Sequence, residues 1–449
     1  MENPLFSRIQ RQISRNQRFI FHLGSSYALI GVNMVTMFIL APLLYHHLGK
    51  ELNGVWLVLF GITNYFNLSS FGFGQTFTLE LIKKQNKPKE VNKLVNTLLF
   101  SLLMFACSTF PIFLAIHFNL HFFKISEGLL PIASRSLWLI YFVFFINFLG
   151  QLPYNVLFVR NKLALRNGIE IGKVILNFAL TFWVIKTGGG IVKLAGVTVL
   201  GTLVYTIVLL IVSKQYLTYT LNFAYFSKKL FLKFLKPSLW YFMLGIAMQV
   251  ILFSDSILVS SLKSPVLVTV YAYALRIPDV SMRFIFKIAD VKIPKIPVLF
   301  EASDWLKMWL LHNRLIWLTA AISGFVCITL ILFGGDIIHL WMGQDFMVNQ
   351  TLIIIFSLNM FTQCVLHVPA IFIQSMGMHK WASILSMIGA PVSVAGAWFL
   401  SKTYGLEGIA FSMCAVQFLV GILVVPQFYI FLFRNLRSQG HHASILRVQ

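Results

Sequence analysis

Five charged side chains share one narrow stripe of an otherwise apolar segment, Pro265 to Ile293, which reads PVLVTVYAYALRIPDVSMRFIFKIADVKI. Arg276, Asp279, Arg283, Lys287 and Asp290 are spaced by 3, 4, 4 and 3 residues. At about 100° per residue on a helix, this spacing confines them to an arc of about 80°. Guanidinium and ammonium groups aligned in this way can capture phosphate or pyrophosphate oxygens, the guanidinium as a bidentate fork. A charge at membrane depth costs about 2.5–3.5 kcal/mol on insertion scales, so it normally faces an interior or a water-filled path. Two blander readings stand beside this one. The acids and bases can interlock and only brace neighbouring helices, or the stripe can be the end of a span whose long side chains snorkel to headgroups. Snorkelling fits Lys287 and Asp290 better than Arg276, which lies eleven residues past Pro265. That is a rise of only about 16 Å, near the middle of a bilayer.

Asp255 is the only charge between Leu239 and Leu262. It can bind a coupling cation, serve as counter-ion to Arg276, or make a structural hydrogen bond. The first half of the chain offers neutral polar faces instead: Ser26, Asn33 and Thr36; Asn64, Asn67 and Gln75; and the row Asn147, Gln151, Asn155 at i, i+4, i+8. Amides and hydroxyls hydrogen-bond sugars, but they also hold helices together. Asn33 and Asn67 are the sugar-binding candidates, and the Asn147 row fits helix-to-helix glue better. His117 and His121 have a metal-ligand spacing without an acidic partner. The chain has no HExxH, P-loop, GxSxG or DxD, and no set of nucleophile, base and orienting group. A transporter without cofactor or metal is expected, rather than an enzyme.

The elements that must position these residues are membrane spans. The chain of 449 residues is 58% hydrophobic and 11% charged, with a mean hydropathy of +0.80, whereas a soluble domain has about 25% charged residues. Twelve apolar segments are long enough to cross a bilayer, near 20–45, 54–80, 94–117, 130–157, 168–186, 191–213, 237–262, 265–290, 314–334, 350–374, 381–401 and 406–433. With the N-terminus inside, 25 Lys and Arg fall in cytoplasmic segments and 6 in external loops. The positive-inside rule therefore places both termini in the cytoplasm. The same asymmetry accounts for most of the net charge of +22, so no nucleic-acid partner is needed. Arg8, Arg11, Arg15 and Arg18 precede a long apolar run with no small-residue cleavage site, so this basic start is expected to anchor the first span. The four cysteines all lie in apolar segments and read as small buried hydrophobes.

A weak internal repeat links the halves. Asn147-x3-Gln151 matches Asn359-x3-Gln363 at an offset of 212, which also carries Leu194-Ala195-Gly196-Val197 onto Leu406-Glu407-Gly408-Ile409; Gly54-Val55-Trp56 falls over Thr269-Val270-Tyr271 at 215. Six spans per repeat give parallel repeats. The expected fold is all-α, with about twelve transmembrane helices in two pseudo-symmetric six-helix lobes, 1–222 and 223–449, joined through 214–236.

Several segments carry a resemblance across the whole chain. LGKELNGVWLVL (48–59), SFGFGQTFTLELIKK (70–84), FSDSILVSSLKSPVLVTVYAYALRI (253–277), DIIHLWMGQDF (336–346) and YGLEGIAFSM (404–413) resemble the polysaccharide or O-antigen (Wzx-type) flippases. That family belongs to the multidrug/oligosaccharidyl-lipid/polysaccharide exporter (MOP) superfamily. The resemblance implies alternating-access transfer of a polyprenyl-pyrophosphate-linked oligosaccharide, such as a lipopolysaccharide O-antigen unit, across the bacterial inner membrane. It also implies a cationic cavity lined by spans 1, 2, 7 and 8, where Arg276, Arg283 and Lys287 would hold pyrophosphate while Asp279 and Asp255 tune or couple. Membrane lipids and polysaccharide polymerase machinery are the partners it suggests. Cations are sparse in spans 1 and 2, which departs from that picture. A cation-coupled multidrug exporter of the same superfamily is the alternative, but it would need an acidic cavity.

Overall fold

The computed structural model describes residues 4–66, 73–84, 87–293, 295–378 and 380–438. Every long element among them is a helix: α1 (Pro4–Phe66), α2 (Phe73–Lys84), α3 (Pro88–Ser108), α4 (Phe110–Phe118), α5 (Leu130–Val159), α6 (Leu163–Lys186), α7 (Ile191–Tyr216), α8 (Lys228–Phe253), α9 (Asp255–Leu262), α10 (Pro265–Asp290), α11 (Lys295–Glu301), α12 (Trp305–Met342), α13 (Gln350–Ser375) and α14 (Lys380–Ser438). In lipid every backbone polar group must be satisfied internally, and helices do this within each segment.

Among the described residues eight helices are long and apolar enough to cross a membrane, or nine if the bent pair α8 and α9 is one span. Both α1 and α14 hold two arms. They break at Gly49 (φ 75°, ψ 173°) and Gly405 (φ 62°, ψ −130°), conformations that residues with a Cβ almost never adopt. The charges of α10 keep it from passing as an apolar span, although its 26 residues are long enough. With these counted, the twelve expected spans have helical counterparts among the described residues, residues 67–72 of the second lying outside them, and the all-α polytopic class holds.

The chain divides into two compact units, Met1–Phe242 and Met243–Gln449. In the first, α5 is the central helix, packed against α1, α2, α3 and α7, while α6 packs on α1 and α7. A connecting segment, 217–227, is stapled to the start of α3. The buried Asn96 donates to Thr220 O (2.7 Å) and accepts from Asn222 N (2.8 Å). Asn92 Oδ1 accepts from Thr220 N, and Thr97 Oγ1 from Ser227 N. Phe100 meets Phe223 edge-on at 4.6 Å. The Tyr219 hydroxyl shares a hydrogen bond with Ser213.

In the second unit α13 is central, packed on α10, α12 and α14, with α9 against α10 and α14. One end is filled by an aromatic core in which the fully buried Phe372 and Phe428 surround His312 at 5.3 and 4.7 Å between ring centroids. Polar cappers start two of its helices: Asp304 accepts from Lys307 N and Asn349 from Leu352 N, satisfying otherwise orphaned N–H groups. The central positions of α5 and α13, at the same repeat offset, are what a duplicated six-helix unit would produce. Of the cysteines, Cys327 and Cys364 are buried but Cys107 is exposed, because its face of α3 points out of the packed unit.

Candidate functional site

The stripe on α10 forms as a single helical face. Asp279 accepts from Arg283 Nε at 3.0 Å and Asp290 from Lys287 Nζ at 2.8 Å. These are i, i+4 and i, i+3 pairs, the spacings that bring helical side chains together. Arg283 remains 54% exposed at its side chain, and this ion pair occupies only Nε of a fork with five N–H donors. Arg276 is partly buried, and its buried Nε has no hydrogen-bond partner. Pro278 lies inside the helix between them, where the missing N–H favours a kink.

Lys287 and Asp290 do different work. Asp290 also meets His367 Nε2 of α13 at 2.8 Å, and that imidazole stacks on Phe286 at 3.8 Å. The carboxylate is therefore held from two helices. This end of the stripe links α10 to α13, whereas the Arg276–Arg283 part keeps donors to spare.

A cavity of about 110 Å³ opens beside that part, lined by Asp255, Tyr271, Asp279 and Arg283 with Asn359, Cys414 and Gln417. Asp255 stands at the first turn of α9, where α8 and α9 bend by 53°. The bend frees carbonyls of α8, and Gln417 Nε2 takes up one of them, Ile251 O, at 3.1 Å. Asn359 donates to Gln417 Oε1 at 3.2 Å. Tyr271, fully buried, lines the same cavity, and its hydroxyl has no hydrogen-bond partner. The Oδ1 atoms of both Asp255 and Asn359 are buried without a partner. An unpaired buried acceptor costs about 1–3 kcal/mol, so two around one cavity suit a polar guest. Among the described residues Asp255 forms no ion pair with Arg276; its neighbours are Tyr271 and the cavity.

The first unit contains its own polar interior. Lys173 of α6 donates to Asn147 Oδ1 at 3.3 Å and lies 4.6 Å over the Tyr205 ring. Gln151 and Asn155 flank Gly74 of α2. Asn167 donates to Ser25 and Ser26 and accepts from Arg166, whose guanidinium sits 4.0 Å over Tyr154. Of the sugar-binding candidates, Asn33 turns its amide back onto Leu29 O of its own helix, and Asn67 lies outside the described residues. His117 packs among Phe113, Phe118 and Trp138.

Two residues escaped the sequence reading. Lys173 carried the signal that marked the stripe, a charge within a span. His367 completes the row Asn359, Gln363, His367, which is the Asn147, Gln151, Asn155 row shifted by 212. Extending the repeat by one more turn would have found it.

A sequence profile of a family described as polysaccharide biosynthesis protein matches residues 17–300. No curated protein sequence matches. Solved structures share the fold at low identity. An inward-facing multidrug resistance MATE family transporter of the MOP superfamily superposes with a TM-score of 0.72 at 16% identity, covering 91% of this chain and 99% of that one. A MATE protein in complex with MaL6 gives 0.63 at 15%, covering 92% and 96%. A MOP superfamily transporter from Pyrococcus furiosus, described as having a binding pocket of reverse polarity that suggests a different function, gives 0.65 at 14%, covering 92% and 96%.

Proposed function

The chain belongs to the polysaccharide biosynthesis protein family, and on that premise we propose that it is a flippase. Its substrate is a polyprenyl-pyrophosphate-linked oligosaccharide, an O-antigen or other surface polysaccharide unit, which it moves across the plasma membrane by alternating access. The observation that carries this reading is the Arg276–Arg283 face of α10. It sets Arg283, with donors to spare, beside a cavity, and two turns away Arg276, whose buried Nε has no partner, in a helix otherwise built for lipid. Such groups favour an anion and disfavour the cations that a drug exporter takes.

In this reading Arg276 and Arg283 hold the pyrophosphate, Asp279 fixes the angle of Arg283, and Lys287 guides the headgroup toward them while bracing α10. Asp255, with its unpaired Oδ1, takes the coupling cation or proton. The prenyl tail stays in lipid. Transport requires that substrate and coupling ion each prefer a different conformation, since a ligand of equal affinity shifts nothing. Both termini lie in the cytoplasm, the side rich in Lys and Arg.

The test is complementation by Arg276→Ala and Arg283→Ala in a strain lacking this protein. Surface glycan and the lipid-linked intermediate of the inner leaflet are scored at matched protein level. Loss of glycan with intermediate accumulating inside is the expected result. Normal glycan in both variants would make the stripe structural and return the drug-exporter reading.

A further inference from the structure

The second arm of α14 carries a lengthwise apolar groove that ends in two arginines. Ile422, Pro426, Ile430 and Phe433 line it together with Leu366 of α13, and Arg434 and Arg437 close one end around a volume of about 800 Å³. The groove starts where the two helices touch: a Cβ at Gly421 would stand 2.5 Å from Leu366 Cδ1. Beyond it Val424, Phe428 and Leu432 keep α14 packed on α13, and the groove runs along the exposed side, past Ile422, Pro426 and Ile430. From Ile422 to Arg434 the helix rises about 18 Å, close to the roughly 15 Å of one leaflet's hydrocarbon. Both arginines therefore reach headgroup depth. Trp381, exposed beside Arg434 on the same unit, is the residue type that favours that interface.

Arg434 and Arg437 are exposed, and no carboxylate pairs with either among the described residues. Being three apart, they share one helix face. An apolar trough of leaflet length that ends in two uncompensated guanidinium groups matches one ligand chemistry, an acyl chain carrying a phosphate. A second, smaller groove beside it, lined by Leu423, Gln427 and Ile430, also ends at Arg434.

We propose that this groove is a binding site for an anionic glycerophospholipid. One acyl chain lies along Ile422–Phe433 and the phosphate rests on Arg434 and Arg437. Basic pockets between transmembrane helices recognise anionic headgroups in this way. The site is separate from the α10 stripe and does not depend on what the protein transports.

The experiment uses the full-length protein, purified in detergent, stripped of lipid and titrated with phosphatidylglycerol or phosphatidylcholine under native mass spectrometry. The expected result is one retained phosphatidylglycerol in preference to phosphatidylcholine. Each arginine contributes about fivefold in affinity, so Arg434→Gln/Arg437→Gln weakens binding about 30-fold. Arg314→Gln, at another exposed arginine of the same unit, binds as the unaltered protein does. Ile430→Trp, which fills the groove and keeps both guanidiniums, also loses the lipid, and it tests the site if the double variant fails to fold. Equal binding of both lipids, or an equal loss in Arg314→Gln, would reduce the site to general surface charge and overturn the proposal. Retention of polyprenyl phosphate in place of phosphatidylglycerol would overturn it too, and would make the groove a track for the prenyl tail.

Discussion

Replacing Asn96 by alanine should release the connecting segment before it unfolds the helices around it. The Asn96 amide holds that segment twice, through Thr220 O at 2.7 Å and Asn222 N at 2.8 Å, and the side chain is fully buried. Alanine leaves both backbone groups without their partner while the segment stays docked. Both groups are part-buried, so each one orphaned costs about 1–1.5 kcal/mol, the low end of the usual 1–3. Undocking lets water satisfy them, so the docked state loses about 2–3 kcal/mol net. Asn92, Thr97 and the Phe100–Phe223 contact remain, and they keep docking favourable. At 1.4 kcal/mol per tenfold, the undocked population rises about 30- to 150-fold. Lys228 and Lys229 follow the stapled segment directly. Under limiting trypsin, where cleavage tracks the open population, the rate of cutting after them should rise by that factor. Cutting at Lys84, outside the staple, should not change. A rise below about threefold with the protein well expressed would show that the staple is redundant, and a parallel rise at Lys84 would show general loosening instead.

Tyr219, in the same segment, gives an alkaline signature. Burial pushes its phenol above the usual 10.0, only partly offset by the Ser213 hydroxyl. A group held protonated by folding contributes docking stability that is complete below pH 10 and fades as pH rises beyond it. Trypsin cutting at Lys228 should therefore climb above pH 10 in the unaltered protein, and much less in Tyr219→Phe. Phe372→Ala empties a fully buried site between His312 and Phe428. It should cost about 3–5 kcal/mol, seen as a lower melting midpoint in detergent. Gly405→Ala forces a Cβ into φ 62°, ψ −130°. It should cost about 1–3 kcal/mol in the same assay, and a neutral result would mean the turn rearranges freely. Asp255→Asn should make transport in proteoliposomes indifferent to an imposed proton or sodium gradient; an unchanged gradient response would remove Asp255 from coupling.

The spans, their number and the stripe were legible because they rest on composition and on helical spacing, both local properties. The split of the stripe was not. Arg283 with Asp279 and Lys287 with Asp290 look alike along the sequence, and only the arrival of His367 from α13 makes one end a brace. Asp255 was visible as a lone intramembrane charge. Arg276, one span away in sequence, was one of the partners open to it, and the bend between α8 and α9 turns it toward Tyr271 and Asn359. A bend at Phe253-Ser254 has no glycine or proline to announce it. The neutral amides of the first unit read as either glue or sugar contacts. Asn147 proved to be tied to Lys173, a pairing between helices that no local pattern encodes.

The staple on α3 also sets a clock on biosynthesis. Asn96 enters the membrane region with its helix, but its partner Asn222 lies 126 residues later. At 5–20 residues per second the ribosome needs about 6–25 s to supply it. During that interval the Asn96 amide has only Asn92 O of its own helix as a mate, and water at the membrane edge or the insertion machinery must hold the rest of it. The closing of that contact marks the moment when the first unit can become self-sufficient, with the second still to be translated. Slowing translation between codons 96 and 222 would lengthen the exposed interval, whereas a pause after 227 would fall on a half already latched.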